Sequence, residues 1–542
     1  MNTYNMKHIL PAVTFLLAAG MTSCTGDLDV TPIDPATTMA VDEPGLYTKC
    51  YANMAMAGNT GANGDCDIDG LDGGTTGFVR QLWNANELVT DEAICAWGDP
   101  GIPQFNYNQW DASHPMLQGF YYRLYAGIAY CNHYLDVCAG VDATREAEVR
   151  FLRALYYYYL MDCFGNVPFT TALSTDTPEQ IQRAALFAWL EDEIKGCMGK
   201  MLEPAARTSA TTGYGRADQD AANLLLARMY LNAEVYTGTA KWAEAKEYAE
   251  KVINGPHKLW TTGVAAGENH PAYSAYQMLF MGDNGESGAS IEAILPVLQD
   301  GITTTSWGTT LFLMASCWKA DMDTNGDYGT KENWAGNRAR SQFIAKFFPN
   351  GDAPDATIDA MAIAAGDNRA LFFGVDRELI VTNPSEFTSG YSVGKFRNSY
   401  STGASGHNSQ FIDADFFLMR SAEAYLIAAE ADARLNGGNI TAKGLEYINA
   451  LRSRANAKTV DQATCTLDYI LDERSRELYY EGFRRTDLIR YGYFGGDKSG
   501  DYLWEWKGGV QNGQAFAAFR NIYAIPAEDI NANPKLKQNP NY

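Results

Sequence analysis

Histidine is scarce in this chain, six in 542 residues, and the six form neither a metal-ligand spacing nor a nucleophile–base arrangement. Cysteine occurs ten times but never as a C-x-x-C pair, so the usual zinc and redox patterns are missing. There is no phosphate loop and no nucleophile elbow. Cationic residues are outnumbered, 42 Lys and Arg against 65 Asp and Glu, for a net charge of −23. A surface this acidic repels phosphate backbones and anionic lipid heads, which argues against nucleic acid as a partner. It suits neutral ligands and divalent cations. Past the first two dozen residues, no segment approaches the roughly 20 continuous apolar residues that a membrane span needs.

The exception at the start has the form of an export signal. Lys7 precedes an apolar run from Ile9 to Gly20 that contains Pro11 and is too short to cross a bilayer. Small residues then lead to a cysteine in "MTSCTGDLD". Residues 1–23 are therefore expected to be a cleaved signal, with Cys24 the lipidated (palmitate-bearing) first residue of a single domain, 24–542. Met21 stands where leucine is commoner. Asp27 and Asp29 follow in the manner of the surface-export signal of some Gram-negative lipoproteins. The expected location is the outer face of the outer membrane. Nine cysteines remain besides Cys24, and Cys131 and Cys163 fall inside helical runs as small buried residues; no disulfide pairing can be assigned.

Two long regions have helical periodicity, about 113–255 and about 413–491. "AANLLLARMYLNAEVY" places Leu224, Ala227 and Leu231 on one face, and "WAEAKEYAEKVIN" follows with Trp242, Ala245, Ala249 and Val252. "FFLMRSAEAYLIAAEADARLNGG" aligns Leu418, Ala422, Tyr425 and Ala429, and Gly437-Gly438 stops it. "AKGLEYINALRSRANA" comes next with Ile448, Leu451 and Ala455. Helix pairs of roughly 34 residues, with alanine where helices cross, predict a mostly α fold of tetratricopeptide-like repeats with little β. Residues about 58–112 and 256–412 are loop-rich in Gly, Asn, Asp, Ser and Thr, yet Trp, Phe and Tyr recur throughout. Long loops on a helical scaffold are where function usually sits.

The start "CTGDLDVTPIDP", the helix "RFLRALYYYYLMDCFGNVPF", "GRADQDAANLLLARMYLNAEVYTG", "FLMRSAEAYLIAAEA", "ERSRELYYEGFRRTDLIRYG" and the tail "YAIPAEDINANPKLKQNPNY" together resemble the SusD/RagB family of surface glycan-binding lipoproteins. "TGFVRQLWNANELVTDEAICAW" and "YLWEWKGGVQNG" are similar to its starch-type members. The resemblance implies an α-helical fold, no enzymatic activity, a starch-like α-glucan as ligand, and a TonB-dependent outer-membrane transporter over which the protein closes as a lid.

The chain has 32 tyrosines and 11 tryptophans. A sugar ring stacks its C–H face on an aromatic plane, while its hydroxyls need planar polar partners. Each stack is worth about 1 kcal/mol by analogy with aromatic pairs. "YYYY" at 156–159 covers every side of one helix and is at least partly core. Three loop tryptophans have no helical face to explain them: Trp97 in "CAWGDPG", Trp307 in "TTSWGTT" and Trp334 in "KENWAGN". The resemblance places an aromatic arc at these loops, with polar contacts from Asp72 and Arg80. It also implies a further aromatic near Trp97, where this chain has Ile94 or Cys95, and a displaced amide for which Asp99 is the nearest replacement.

Two other readings remain, an acidic helical glycosidase and a protein-binding tetratricopeptide adaptor. Glu473, Glu477 and Glu481, spaced i, i+4, i+8 beside Arg474, Arg476, Arg484 and Arg485, are expected to make helix-face ion pairs rather than do chemistry. "GDCDIDGLDGG" starts like a calcium loop at Asp65, Asp67 and Asp69 but has Thr76 at position twelve, and is read as a turn. "DMDTNGDYGTKE" has the full pattern: Asp321, Asp323, Asn325 and the Asp327 carbonyl as ligands, Gly326 at the bend, and Glu332 closing the site around one Ca²⁺. Tyr328 stands where such loops carry a small aliphatic residue. Trp334 lies two residues beyond Glu332.

Overall fold

The structure, a computed structural model, describes residues 41–64, 66–322 and 328–542. Cys24, Asp65, Asp323, Asn325, Gly326 and Asp327 lie outside them.

Helix ends follow local capping chemistry. Helix α1 (Pro115–Val137) begins with Pro115 behind a His114 ring that accepts the N–H of Leu117. Helix α2 (Ala143–Phe164) is capped by the Asp142 carboxylate, which accepts from Thr144 and Arg145, and stops at Gly165. Such caps are each worth about 1 kcal/mol. All four tyrosines at 156–159 are buried, because α1 and helix α3 (Arg183–Met198) pack against α2. The first helical region is broken at 165–182, which holds the short antiparallel pair Val167–Pro168 and Gln180–Ile181, and again from 199 to 218.

The two helix pairs expected from the sequence are present: α4 (Gln219–Leu231) with α5 (Trp242–Asn254), and α6 (Ser421–Leu435) with α7 (Ala442–Arg454). They join through α5 and α6, where Lys246 reaches Asp432 at 2.7 Å and Arg434 lies 5.8 Å from the Trp242 ring centre. Ala245, Ala249 and Val252 are buried along that seam. Helix α6 stops short of Gly437 and Gly438, which take φ of +65° and +93°.

One boundary differs from the expectation. Phe416–Arg420 is a strand paired antiparallel with Ala293–Val297, so Leu418 is not on the face of α6. A run of four apolar residues has no periodicity that separates strand from helix, and burial of the entire strand selects the extended form. The strand also delivers Arg420 into a buried carboxylate cluster. Arg420 meets Glu292 at 2.8 Å, Glu477 at 2.7 Å and Glu481 at 2.6 Å. Arg454 adds Glu292 at 3.0 Å, and Arg369 holds Glu473 at 2.7 Å.

The role of Glu473, Glu477 and Glu481 is therefore structural, as expected, but the partners come from distant chain segments rather than from the same helix face. Arg476 with Glu473 is an i, i+3 pair within α8 (Leu467–Leu478). Glu481 lies past the end of α8. Arg484 and Arg485, on α9 (Arg484–Tyr491), reach Asp91 at 2.7 Å and Asp162 at 3.3 Å.

The loop-rich part carries a four-stranded sheet of β1 (Ala93–Cys95), β2 (Asn337–Ala339), β3 (Phe372–Phe373) and β4 (Tyr391–Val393), in the order β1-β2-β4-β3 with antiparallel neighbours. Pro44–Tyr542 forms one compact unit. The nine described cysteines are free thiols. Among the described residues no helix is long and apolar enough to cross a membrane.

Candidate functional site

Strand β1 pairs Cys95 with Asn337, and the next residue, Ala96, donates its N–H to the Gly336 carbonyl at 2.9 Å. That pairing lays the Trp97 ring directly on Gly336, whose φ is +111° and where a Cβ would meet Trp97 Nε1 at 2.2 Å. Only glycine fits there. Trp334 is set by its own N–H to the Ala315 carbonyl at 2.8 Å. Trp307 is delivered by a loop in which the Asp300 carboxylate accepts the N–H groups of Ile302, Thr303 and Thr304 at 3.0, 2.7 and 2.9 Å. Beside it, Gly308 and Gly77 bring two backbones together: a Cβ on Gly77 would lie 2.5 Å from the Gly308 carbonyl oxygen, and that carbonyl accepts from Arg80 N at 3.0 Å.

These anchors bring the three loop tryptophans into one row. Trp97 and Trp334 have ring centres 6.4 Å apart at 54°, and Trp334 and Trp307 are 6.0 Å apart at 48°. All three are half-buried, with apolar surface left for a ligand. Phe411 extends the row, its ring 4.9 Å from that of Trp307. The sequence reading missed Phe411; the available signal was a lone aromatic in the polar stretch "HNSQFID". It also missed what orients the indoles. Trp334 Nε1 donates to Glu332 at 2.6 Å, Gln410 holds the other Glu332 oxygen at 2.8 Å, and Trp307 Nε1 donates to Asn63 at 3.3 Å.

Arg80 belongs to the short helix Phe78–Trp83. Its guanidinium lies 5.6 Å from the Trp97 ring centre and 5.1 Å from that of Phe312, and only 9% of the residue is exposed. Burial pulls its pKa down, and the nearby charges of Asp72, Cys95 and Asp99 offset this in part. Among the described residues its Nε has no hydrogen-bond partner. Asp72 caps the turn Gly73–Thr76, taking Thr75 N at 3.0 Å and Thr75 Oγ1 at 2.6 Å. Burial raises its carboxyl, but the Thr75 donors and Arg80 outweigh that, and the net shift is downward. Asp99 is exposed, two residues from Trp97 along the chain. Ile94 and Cys95, which stand where the resemblance implies a further aromatic, are buried in β1. The row thus offers ring faces flanked by a fixed guanidinium and a carboxylate, suited to binding a ligand with apolar faces and hydroxyl edges.

Of the calcium-loop residues, Asp321 and Glu332 are described. Asp321 pairs with Lys319 at 3.2 Å and Arg377 at 2.9 Å. Glu332 spends one lone pair of each oxygen on Trp334 and Gln410. Tyr328 is buried, stacked 5.1 Å from Trp318. In the other acidic stretch, Asp67 pairs with Lys49 at 3.3 Å and Arg123 at 3.4 Å, which agrees with a turn.

Solved structures share this helical architecture. A SusD superfamily protein from Parabacteroides distasonis superposes with a TM-score of 0.65 at 19% identity, covering 92% of this chain and 98% of that one. A laminarin-binding SusD-like protein gives 0.63 at 20%, with 92% and 99% covered. Surface glycan-binding protein A from Bacteroides uniformis gives 0.64 at 19%, with 92% and 98%. The fold is that of the SusD superfamily. In sequence, residues 299–542 match the SusD family, and residues 34–231 match the family described as starch-binding associating with outer membrane. The starch-binding protein SusD of Bacteroides thetaiotaomicron is 39% identical over the full length of both chains, and SusD-like protein P25 of Formosa agariphila is 27% identical over 68% of this chain and 69% of its own. The chain belongs to the SusD family.

Proposed function

We propose that this chain is a non-enzymatic glycan-binding lipoprotein of the outer membrane, facing the exterior, that captures starch-like α-glucan oligosaccharides. It hands them to a TonB-dependent transporter of the SusC type. The observation that carries the reading is the row Trp97–Trp334–Trp307 with Arg80 beside it. Three or four ring faces at about 1 kcal/mol each give millimolar affinity without a deep pocket, and polar contacts to the sugar hydroxyls carry it toward micromolar. A helical, tetratricopeptide-like scaffold presents those rings from rigidly anchored loops. Support for α-glucan comes from the 39% identical starch-binding relative, and support for the outer membrane from the family matched at 34–231. The anchor is an acylated Cys24, for which two or three acyl chains suffice.

Retardation in gels containing starch, pullulan, laminarin or no glycan tests the ligand. Retardation by starch, with no reducing ends released, is expected; mobility equal in all gels overturns the ligand. Recovery of a TonB-dependent transporter from mildly solubilised membranes tests the partner, and Cys24→Ala should leave the membrane fraction.

A further inference from the structure

The two chain segments that build one end of the tryptophan row also build a second feature. Residues 329–334 and 405–411 run alongside each other, joined by Lys331 N to the Ser409 carbonyl at 2.8 Å and Thr330 Oγ1 to the Gln410 carbonyl at 3.2 Å. At one end they supply Trp334 and Phe411 to the row. At the other, Gly329 to Lys331 and Asn408 to Ser409 wall a cleft of about 470 Å³. Ser409, in the cleft wall, and Phe411, at the end of the row, are two residues apart, a span of at most about 7 Å of chain, so the cleft starts where the aromatic row ends.

The cleft's chemistry is unusual for this protein. In a chain of net charge −23, no Asp or Glu is among the described residues that line it. Its walls carry the Asn269 amide, the His270 ring stacked on Tyr273 at 6.2 Å and 14°, the Lys331 ammonium and the hydroxyls of Tyr400 and Ser405. Asn269 and Lys331 are exposed, and neither side chain has a hydrogen-bond or ion-pair partner among the described residues. The Asn269 amide, the Lys331 ammonium and the Ser405 hydroxyl around a half-buried ring suit a neutral, polyhydroxylated ligand, while the Tyr400 hydroxyl is held by the Asp413 carboxylate behind the wall.

We propose that this cleft is an extension subsite that holds the continuation of a glycan chain whose neighbouring sugars stack on Trp334, Trp307 and Phe411. The inference rests on the glycan-binding reading above and adds a second contact region for long chains. A chain that fills both regions gains the cleft contacts without a second loss of translational freedom.

Calorimetry with maltotriose and with a long maltodextrin, on wild type, Asn269→Ala/Lys331→Ala and Trp97→Ala, tests this. Both cleft positions are exposed, so a thermal melt equal to wild type is expected. The double variant should bind maltotriose as wild type does and lose about fivefold or more for the long dextrin, the value of one or two hydrogen bonds. Trp97→Ala should weaken both. Wild-type affinity of the double variant for the long dextrin overturns the subsite. Loss of one of two independent maltotriose sites overturns the continuity with the row. Wild type binding neither dextrin overturns the α-glucan reading and the subsite with it.

Discussion

The Arg80 guanidinium lies over the Trp97 ring at 5.6 Å while its Nε has no hydrogen-bond partner among the described residues. A buried cation without a direct ion pair among the described residues costs stability, and a ligand seated on the neighbouring Trp97 ring would bring hydroxyl dipoles that offset part of that cost. Stability and binding should therefore move in opposite directions when it is replaced. Arg80→Met is expected to hold or raise the melting temperature while weakening α-glucan binding about fivefold, the equivalent of about 1 kcal/mol. Calorimetry and a thermal melt on the same sample check both signs; a variant that melts lower and binds as wild type would assign Arg80 to the fold alone.

Each member of the tryptophan row should be separable from the fold. Trp97→Ala, Trp307→Ala and Trp334→Ala are expected to lower affinity about five- to tenfold each, with longer oligosaccharides affected more than a monosaccharide. Glu332→Ala should imitate Trp334→Ala in part, because it releases the Trp334 N–H and the Gln410 amide together. Gel retardation of the four variants measures this. Equal mobility for all would remove the row from the site.

Helical content and the helix pairs were legible because alanine, tyrosine and leucine recur at helical spacing and glycine ends the runs. The row was legible only in part. Trp97, Trp307 and Trp334 were singled out because no helical face accounts for them, but what joins them is a set of long-range backbone contacts, such as Ala96 to Gly336 and Arg80 to Gly308. Such contacts leave no local pattern. Glu477 illustrates the same limit: its spacing to neighbouring arginines suggests a helix face, whereas its partners Arg420 and Arg454 come from other elements.

That cluster gives a stability prediction. Glu477 is fully buried between Arg420, Arg454 and Arg369, and those cations hold its carboxyl well below the usual range against the upward push of burial. Glu477→Ala removes the carboxylate that all three share, leaving each with fewer buried counter-charges, and should cost about 3–5 kcal/mol. Denaturant unfolding reads the change; a loss below about 1 kcal/mol would mean that the cluster relaxes or admits water.

Glu87 and Glu92 are buried carboxyls with one oxygen of each already used: Glu87 Oε1 accepts from Gly482 N at 2.5 Å and Phe483 N at 2.8 Å, and Glu92 Oε1 from Ser475 at 2.6 Å. Burial first, and then each other, raises Glu87 well above the ordinary range, and burial raises Glu92. Between the ordinary carboxyl range and the raised folded values, the native chain holds a proton that the unfolded chain has lost. Stability therefore falls as pH rises through that window. Glu92→Gln keeps an acceptor for Ser475 and removes the repulsion. Its stability relative to wild type should increase by about 1–2 kcal/mol from pH 5 to pH 8. Melts across that range test it, and a difference independent of pH would show that the pair does not share a proton.

For residues 321–332 we propose one Ca²⁺, bound weakly. Glu332 has lone pairs left after Trp334 and Gln410 are served, so it can ligate an ion while still aiming the Trp334 ring. Asp321 must compete with Arg377 and Lys319, which places the affinity toward the weak end for such loops, about 10⁻⁴–10⁻³ M. The remaining ligands, Asp323, Asn325 and the Asp327 carbonyl, lie outside the described residues. Calorimetry with millimolar Ca²⁺ should give about one ion per chain and a higher melting temperature, both reduced in Glu332→Gln. Because the ion and Trp334 meet at one carboxylate, α-glucan affinity should rise with Ca²⁺ in wild type and not in Trp334→Ala. No heat and no thermal shift at millimolar Ca²⁺ would leave the loop a turn that holds Trp334 through Glu332 alone.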